Sequence, residues 1–325
     1  MEQPVIKALH SWVMNRMASR SASGDPSPLR PAVSLEVSPP SMEALDALPT
    51  MSLDKLVSWQ VQLASFPDIF IRIFEAVNRI GSNADHIAEI IRMDTSLSAK
   101  LLKLVNSPLF GLRSPVESIS RAVTLSGTDE LSMLALGVSA VEYFKGVPDE
   151  FVDMKSFWTH SLACGVGARV LAANQRLLTR ERFFLSGLLH DIGRLVIFRN
   201  NPKAAAMIFA FSRTEPCPLR EAELLVLGYD HTDVAKELLG AWHIPEPLIN
   251  MVKSHHSPDT AEQRMDAAIL HVADVLASSL STEMGTPFPA QPLSMEAWDM
   301  VGPPLEELDA TLDELVLVVS DLTST

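Results

Sequence analysis

The feature of this sequence that most constrains its fold is the apolar stretch from Phe183 to Phe198, FFLSGLLHDIGRLVIF, which has a His-Asp dipeptide at its centre. A helix that is apolar on nearly every side is expected to be buried in a protein core. His190 and Asp191 resist burial unless they are paired or bind a metal. The sequence therefore predicts a buried helix whose two polar residues have partners elsewhere in the chain.

Small and charged residues share a helical face with this histidine. Gly187 and Gly193 lie three residues before and after His190, and Arg194 lies four residues after it. In a helix these spacings bring the positions onto one face, where the glycines leave room for another backbone, a side chain or an ion. Two interpretations stay open from this helix alone: a cavity lined by polar groups, or a hydrogen-bonded His-Asp pair that joins two helices.

Composition limits the classes of function. The 325 residues are 47% hydrophobic, enough for one large core or two moderate ones, and the formal net charge is -14. Such an acidic chain is a poor ligand for phosphate backbones and anionic membrane surfaces. Cys164 and Cys217 are too few for a disulfide framework, and neither a signal peptide nor an apolar run of about 18 residues is present. We expect a cytoplasmic protein with no membrane span and no nucleic-acid partner.

The pattern along the chain is helical, and two turn-rich passages interrupt it. Residues 4–20 have apolar side chains at helical spacing, which predicts a short helix that docks on the body or on a partner, or else a loose tail. Residues 21–49 contain six prolines and six serines and have no apolar period. The predicted segments are an amphipathic N-terminal helix (1–20), a Pro/Ser-rich linker (21–50), an N-terminal helical subdomain (51–150), a second helical subdomain (151–280), and a C-terminal loop with an acidic helix (281–325).

Start and stop signals support an all-α fold of two helical subdomains. Asp94 and Thr128 are suited to helix starts, while Gly228 is suited to a helix stop and Pro245 to a restart. The segment from Asn106 to Gly111 is a turn-rich break between periodic segments. The second half of the chain lacks the alternation of polar and apolar residues that is typical of strands.

The second half also collects the histidines, because seven of the nine lie between His160 and His271. A single histidine on an apolar helix face is more often a core residue than a ligand. A set of imidazoles and carboxylates is different, since a two-metal site needs roughly six to eight such ligands from several helices. The candidate ligands for one or two divalent ions (iron, manganese or zinc) are His160, His190, Asp191, His231, His255, His256 and Asp274.

The order of these residues resembles the HD superfamily of metal-dependent phosphohydrolases, in which the equivalent residues hold one or two metals. The stretch from about Leu63 to Leu280 is more similar to one branch, the HDOD domain, an HD-related output domain of bacterial signalling proteins. The motifs that carry the resemblance are Phe66-Pro67, Asn106-Ser107 with Phe110-Gly111, Phe157-Trp158 with His160, the run Gly187 to Gly193, Asp230-His231 with Val234, Trp242 with Pro245, His255-His256, and in the tail Glu296-Ala297-Trp298.

The resemblance implies an all-helical fold and a role in signalling or regulation, generally without demonstrated catalysis. Many members have lost parts of the metal site, whereas this chain keeps every candidate ligand position. Two departures bear on activity. Arg194 stands where the hydrolytic relatives have lysine, and it replaces a point donor by a planar fork. The GYP element of cyclic-di-GMP phosphodiesterases is missing after His255-His256, where the chain reads SPDTAEQ, so that activity is disfavoured.

Two functions follow as alternatives. In the first, a regulatory module with a metal-capable pocket binds a signalling protein or a small phosphate-bearing ligand, and a homo-oligomer is left open. In the second, a metal-dependent phosphohydrolase acts on a nucleotide or another phosphoester. Asp191 would then be catalytic as a metal ligand, and Arg194 would neutralise phosphate charge. In that alternative one metal is assigned to His160, His190, Asp191 and Asp274, and His231, His255 and His256 help to bind the second.

Overall fold

The computed structural model describes residues 84–110, 112, 114–144, 147, 151–177, 180–215, 217–242, 244–282 and 291–323, together with parts of 4–15 and 52–76. Every regular element within these ranges is a helix, and no strand occurs in them. The all-α fold class predicted from the sequence is therefore confirmed. The predicted Pro/Ser-rich linker at 21–50 lies outside the described residues.

A four-helix unit lies between Ala84 and Tyr143. It consists of α1 (Ala84–Arg92), α2 (Thr95–Val105), a 3-10 turn (Pro108–Phe110), α3 (Ile119–Ser126) and α4 (Thr128–Tyr143). Asp94 caps α2 as predicted, because its side chain accepts a hydrogen bond from the Leu97 N–H at 2.9 Å. Asn106 holds the predicted break together by donating to the Val116 carbonyl at 2.8 Å and accepting from the Val116 N–H at 2.6 Å.

The histidine-rich half is built around one long helix. Its elements are α5 (Met154–Asn174), α6 (Glu181–Leu189), α7 (Ile192–Asn200), α8 (Pro202–Thr214), α9 (Leu219–Leu227), α10 (His231–Ala241), α11 (Glu246–Ser254) and α12 (Arg264–Thr282). α6 and α12 both pack on α5, which makes α5 the centre of this half. The predicted signals hold: Gly228 ends α9 in the left-handed region with φ 79°, and Pro245 precedes α11.

The predicted single helix over Phe183–Phe198 is wrong in one respect, because the chain turns at the His-Asp dipeptide. α6 ends at Leu189 and α7 begins at Ile192, so His190 and Asp191 occupy the turn between them. An unbroken helix would point two successive side chains about 100° apart. The turn instead directs both side chains toward one point.

Two glycines of this stretch bring backbones into contact, as the sequence predicts. A Cβ on Gly187 would lie 2.5 Å from the Gly165 backbone, and a Cβ on Gly193 would lie 2.0 Å from the His231 carbonyl oxygen. Real Cβ atoms essentially never approach other atoms within 3.0 Å. The absence of a side chain therefore sets the distance from α6 to α5 and from α7 to α10.

A largely buried arginine joins the two halves. Arg169 of α5 has Nη2 3.6 Å from Glu130 Oε1 of α4 and 3.8 Å from Glu181 Oε1 of α6. Its guanidinium carbon lies 4.4 Å from the centroid of the Phe110 ring, and Nη1 donates to the Leu109 carbonyl. We call Arg169, Glu130 and Glu181 the Arg169 cluster. Burial raises the pKa of Glu130 to about 8, with Glu181 adding to the rise and Arg169 opposing it.

The C-terminal segment also packs on the histidine-rich half. It contains α13 (Met295–Val301) and α14 (Leu308–Thr323), and α14 lies against α5. Near the other end of the chain, Val5, Leu9 and Trp12 are buried, which favours the docked interpretation of the N-terminal helix. None of the described helices is both long and apolar enough to cross a bilayer. The segment boundaries near residues 50, 150 and 280 stay predictions.

Candidate metal centre

The structure brings the seven predicted ligands close together, in three overlapping groups of ligand atoms. His160 lies in α5 and Asp274 in α12, while the others lie at helix ends or turns. Helix ends suit ligands, because side chains there are directed by the turn as well as by the helix. The residues at ends or turns are His190 and Asp191 between α6 and α7, His231 as the first residue of α10, and His255 and His256 directly after α11.

The first group of ligand atoms surrounds His190. Its Nε2 lies 3.3 Å from His160 Nε2, 3.6 Å from Asp274 Oδ1 and 3.5 Å from Asp191 Oδ2. His160 Nε2 is also 3.2 Å from Asp274 Oδ1. Ligand atoms of His160, His190 and Asp191 lie within 4.8 Å of one another, as do those of His190, His255 and Asp274.

The second group surrounds His231. Its Nε2 lies 3.2 Å from Asp191 Oδ1 and 3.0 Å from His256 Nε2. The rings of His255 and His256 have centroids 3.8 Å apart. One ligand atom from each of Asp191, His231, His255 and His256 fits within 4.8 Å. Asp191 therefore has one oxygen facing each group, and it would be the carboxylate shared by the two groups if each held an ion.

Three buried atoms of this cluster have no hydrogen-bond partner. They are Asp191 Oδ1, His255 Nε2 and His256 Nδ1. An unpaired polar atom in a protein interior costs about 1–3 kcal/mol, so several in one place indicate a missing ligand. Nitrogen and carboxylate oxygen are the donors that zinc, iron and manganese prefer. The residues present thus fit a divalent ion.

Comparison with known families decides what kind of domain holds this cluster. The family model of the HDOD domain matches residues 63–258. The chain belongs to the HDOD family. The resemblance inferred from the sequence motifs is confirmed, and the match covers most of the stretch from Leu63 to Leu280 for which it was predicted.

Solved structures share the HDOD fold. An HDOD domain protein of unknown function from Geobacter sulfurreducens is 23% identical with a TM-score of 0.66, and the alignment covers 83% of this chain and 98% of that one. A candidate phosphohydrolase from Shewanella amazonensis SB2B is also 23% identical with a TM-score of 0.66, over 82% and 96% of the two chains. A candidate signal transduction protein from Marinobacter aquaeolei VT8 is 19% identical with a TM-score of 0.61, over 96% and 64%. At these identities the likeness establishes the fold.

A curated relative is longer than this HDOD chain. An uncharacterised protein of Treponema pallidum (strain Nichols) is 26% identical over 236 residues, which are 72% of this chain and 45% of that protein. The chain thus spans less than half of the relative's length.

Hydrogen bonds from Nδ1 to backbone carbonyls orient two of the candidate ligands, His190 and His255. His190 Nδ1 lies 2.7 Å from the Gly187 carbonyl oxygen, and His255 Nδ1 lies 2.7 Å from the Val252 carbonyl oxygen. A carbonyl only accepts, so each Nδ1 carries a proton, and Nε2 is the nitrogen that offers a lone pair when the ring is neutral. This second layer of contacts is what metal-binding histidines require.

One residue of the site, Glu223 of α9, is not among the residues predicted from the sequence. Its side chain is fully buried, and its Oε2 lies 2.5 Å from His231 Nδ1 and accepts from the His231 N–H at 2.9 Å. It shares the buried face of α9 with Ala222 and Val226, but that face becomes known only once the helices are packed, so the sequence carried no signal for it. A lone acid on an apolar helix face needs a partner inside the protein.

Arg194 connects Glu223 to the ligand set. Its Nη1 donates to Asp191 Oδ2 at 2.5 Å, and its Nε donates to Glu223 Oε1 at 3.0 Å. We call Arg194, Asp191 and Glu223 the Arg194 cluster. The prediction that His190 and Arg194 share one helical face assumed an unbroken helix, whereas the chain turns between them. Asp191 contacts both side chains.

Electrostatics keep Asp191 and His255 in the forms that bind metals. Burial works against the charge of Asp191, but Arg194, His190 and His231 together hold the pKa of its carboxyl well below the usual value. Burial, with help from the positive charge on His190, lowers the pKa of His255 to about 3. Metal ligation needs an ionised carboxylate and a neutral imidazole, and Asp191 and His255 meet these conditions. Burial opposes the charge of His190, but the neighbouring Asp191 carboxylate outweighs burial and raises the pKa of this imidazole well above its usual value, so the ring would release a proton when an ion binds.

His271 has a structural task instead. It shares a helical face with Asp274, but its Nδ1 lies 2.8 Å from the His255 carbonyl oxygen. Its Nε2 accepts from the Ser294 N–H at 2.9 Å, at the start of α13. Both ring nitrogens are therefore used to hold the backbone after α11 and the C-terminal segment.

Proposed function

We propose that this HDOD chain is a regulatory signalling protein in which the histidine and aspartate cluster binds one or two divalent ions, and that it acts through a bound partner or ligand. The observation that carries this proposal is the burial of the cluster. His190, His231 and His255 are 0% exposed, Asp191 is 4% exposed and Asp274 is 6% exposed. A bare ion fits such a closed site more readily than a phosphoester does.

The bonding of Arg194 supports the same choice. A phosphohydrolase needs a cation that faces the substrate phosphate. Two nitrogens of this guanidinium are already bonded to Asp191 and Glu223. Arg194 is thus placed to hold a metal ligand and its support in position.

The residues proposed to hold the ions divide into two sets that share Asp191. When bound, a divalent ion would supply positive charge to the buried carboxylates and polarise a bound water. Asp191 and Asp274 would provide the negative charge, and the histidines would provide ring nitrogens as ligand atoms. The two sets are His160, His190, Asp191 and Asp274, and Asp191, His231, His255 and His256.

The second candidate function is a metal-dependent phosphohydrolase that acts on a nucleotide or another phosphoester. One observation favours it: Asp191 faces both ligand groups, as a carboxylate does when it bridges two ions. In that case Asp191 is catalytic as a shared ligand, and Arg194 must leave a carboxylate in order to reach phosphate.

The partner of the regulatory function is proposed by class. We propose a signalling protein or a small phosphate-bearing ligand in the cytoplasm, and a second copy of this chain is a further candidate. Nucleic acid is not proposed, because the net charge is -14.

Elemental analysis of the protein purified without added metal or chelator tests the metal site. We expect close to one or two equivalents of iron, manganese or zinc per chain. The His190→Ala/Asp191→Ala protein is expected to lose the metal, and His86→Ala, which changes an exposed histidine of α1, is the matched control. An empty native protein that is folded would refute the metal site.

A phosphoester assay then separates the two functions. Metal-loaded protein is expected to leave a chromogenic phosphodiester and a phosphomonoester intact. Turnover that is abolished by Asp191→Ala with the fold retained would establish the hydrolase instead.

A further inference from the structure

We propose that Glu223 is a positioning residue that fixes His231 in the protonation pattern and orientation needed to bind the second metal ion. The inference rests on the proposed function, because His231 is a candidate ligand there. It assigns a role to a residue that lies eight positions away in the sequence and belongs to another helix.

Contact geometry fixes which nitrogen of His231 carries the proton. Glu223 Oε2 lies 2.5 Å from His231 Nδ1 and also accepts from the backbone N–H of the same residue at 2.9 Å. An ionised carboxylate has no proton to donate, so Nδ1 must be the donor. The lone pair of neutral His231 is then on Nε2, which faces Asp191 Oδ1 at 3.2 Å and His256 Nε2 at 3.0 Å.

The group that accepts the hydrogen bond from Nδ1 is charged for His231 and neutral for two neighbouring histidines. His190 and His255 donate from Nδ1 to backbone carbonyls, which are neutral acceptors. His231 donates to a buried carboxylate. A carboxylate behind the ring makes the opposite nitrogen a stronger donor to a metal than a carbonyl does.

Glu223 reaches a second ligand through Arg194. Its Oε1 accepts from Arg194 Nε at 3.0 Å, and Arg194 Nη1 donates to Asp191 Oδ2. The same arginine neutralises part of the charge that Glu223 brings into the interior. One carboxylate therefore orients His231 directly and, through Arg194, holds Oδ2 of Asp191, whose other oxygen Oδ1 faces His231.

A purely structural role for Glu223 is the alternative, since the residue also ties α9 to α10. Two variants separate the roles. Glu223→Gln keeps the size of the side chain and removes the charge. Asp266→Asn is the control, because Asp266 forms a partly buried ion pair with Arg182 between α12 and α6, at 2.9 Å, without contacting a ligand ring.

Metal titration gives the first readout, with zinc and manganese as the probes. Glu223→Gln is expected to bind the second ion about 10–100-fold more weakly than the native protein, while the first ion is bound within about threefold. Asp266→Asn is expected to bind both ions like the native protein. An equal loss in both variants, or no loss in Glu223→Gln, would overturn the proposal.

The tautomer of His231 gives a readout that a structural role would not change. Nitrogen-15 NMR of the metal-free native protein, at a pH where imidazoles are neutral, is expected to show the proton on Nδ1. In Glu223→Gln we expect a mixture of tautomers or the Nε2–H form. A native Nε2–H form overturns the inference even if Glu223→Gln fails to fold. A native protein with the expected tautomer but without metal affinity would sink the proposed function and leave the positioning of His231 supported.

Discussion

The Arg169 cluster and the Arg194 cluster both place one arginine between two carboxylates, but the contacts differ in length. In the Arg169 cluster the carboxylate oxygens are 3.6 and 3.8 Å from the guanidinium. In the Arg194 cluster the corresponding distances are 2.5 and 3.0 Å. The first cluster joins the two helical halves, whereas the second lies beside the histidines.

The protonation states of the carboxyl groups in the two clusters also differ. In the Arg169 cluster the effect of burial exceeds that of the arginine and raises the pKa of Glu130 to about 8, so this carboxyl holds a proton at neutral pH. In the Arg194 cluster burial also favours the protonated form of Glu223, but His231 and Arg194 lower its pKa and keep it ionised. The comparison teaches that an arginine alone does not keep a buried carboxylate charged. Short hydrogen bonds and additional donors do, and a cation site depends on them.

The largest effect on stability is expected from Arg194→Met, which removes the cation from the Arg194 cluster. Two buried carboxylates would lose their partner, so the free energy of unfolding in chelator should fall by about 5 kcal/mol. Saturating manganese or zinc should restore part of it, because the ion neutralises Asp191. Urea unfolding with and without metal measures both values, and an identical loss in the two conditions would contradict the metal site.

A smaller loss is expected from Arg169→Met. The free energy of unfolding should fall by about 3 kcal/mol, because one of the two carboxyls already holds a proton and needs less compensation. Metal should not change this loss, and the metal dissociation constants should stay within about threefold of native. Urea unfolding and metal titration check these points. Recovery of stability on adding metal would show that the two clusters are coupled.

The third prediction concerns pH. Glu130 has a pKa near 8 in the folded protein and a usual value of 4.5, so the folded state binds the extra proton between these limits. Its contribution to stability is therefore largest at acidic pH and is lost as pH rises toward about 8. In the native protein the free energy of unfolding should fall between about pH 5 and about pH 8, and in Glu130→Gln this fall should be smaller by about 2 kcal/mol. Denaturation curves over this range decide the matter, and an unchanged slope would argue against the protonated carboxyl.

The smallest effect is expected at the surface. Arg264 and Glu296 form an ion pair in which the side chains are 45% and 58% exposed. Glu296→Gln should change the free energy of unfolding by only about 0.3 kcal/mol, because water screens the pair. This variant gives the baseline for the two buried clusters. A loss comparable to that of Arg169→Met would mean that burial does not explain the difference.

Local signals in the sequence predicted much of this fold. The Asp94 cap, the Gly228 stop and the Pro245 restart depend on residues that are close in the chain, and all three are found. The ligand set was predictable because histidines in an apolar context are conspicuous. Its convergence at a single place was inferred through the HDOD resemblance and not from spacing.

Long-range electrostatic partners were beyond the reach of the sequence. Glu223 lies in a helix that also has an exposed acid at Glu221, and nothing in the sequence separates a solvated acid from a buried one before α9 and α10 are packed. Arg169 reaches Leu109, 60 residues earlier, for the same reason. The turn at His190 was missed because apolar residues continue on both sides and conceal the end of α6.

The close contact at Gly193 leaves no room for a side chain beside His231. A methyl group there would lie 2.0 Å from the His231 carbonyl oxygen, whereas ordinary contacts begin at 3.4 Å. The smallest possible enlargement would thus have to push the first turn of α10 outward by more than an ångström. Metal-ligand distances are fixed to about 0.2 Å, so this displacement exceeds what a coordination sphere absorbs. A side chain at position 193 would therefore displace His231 although it would lie outside the ligand set.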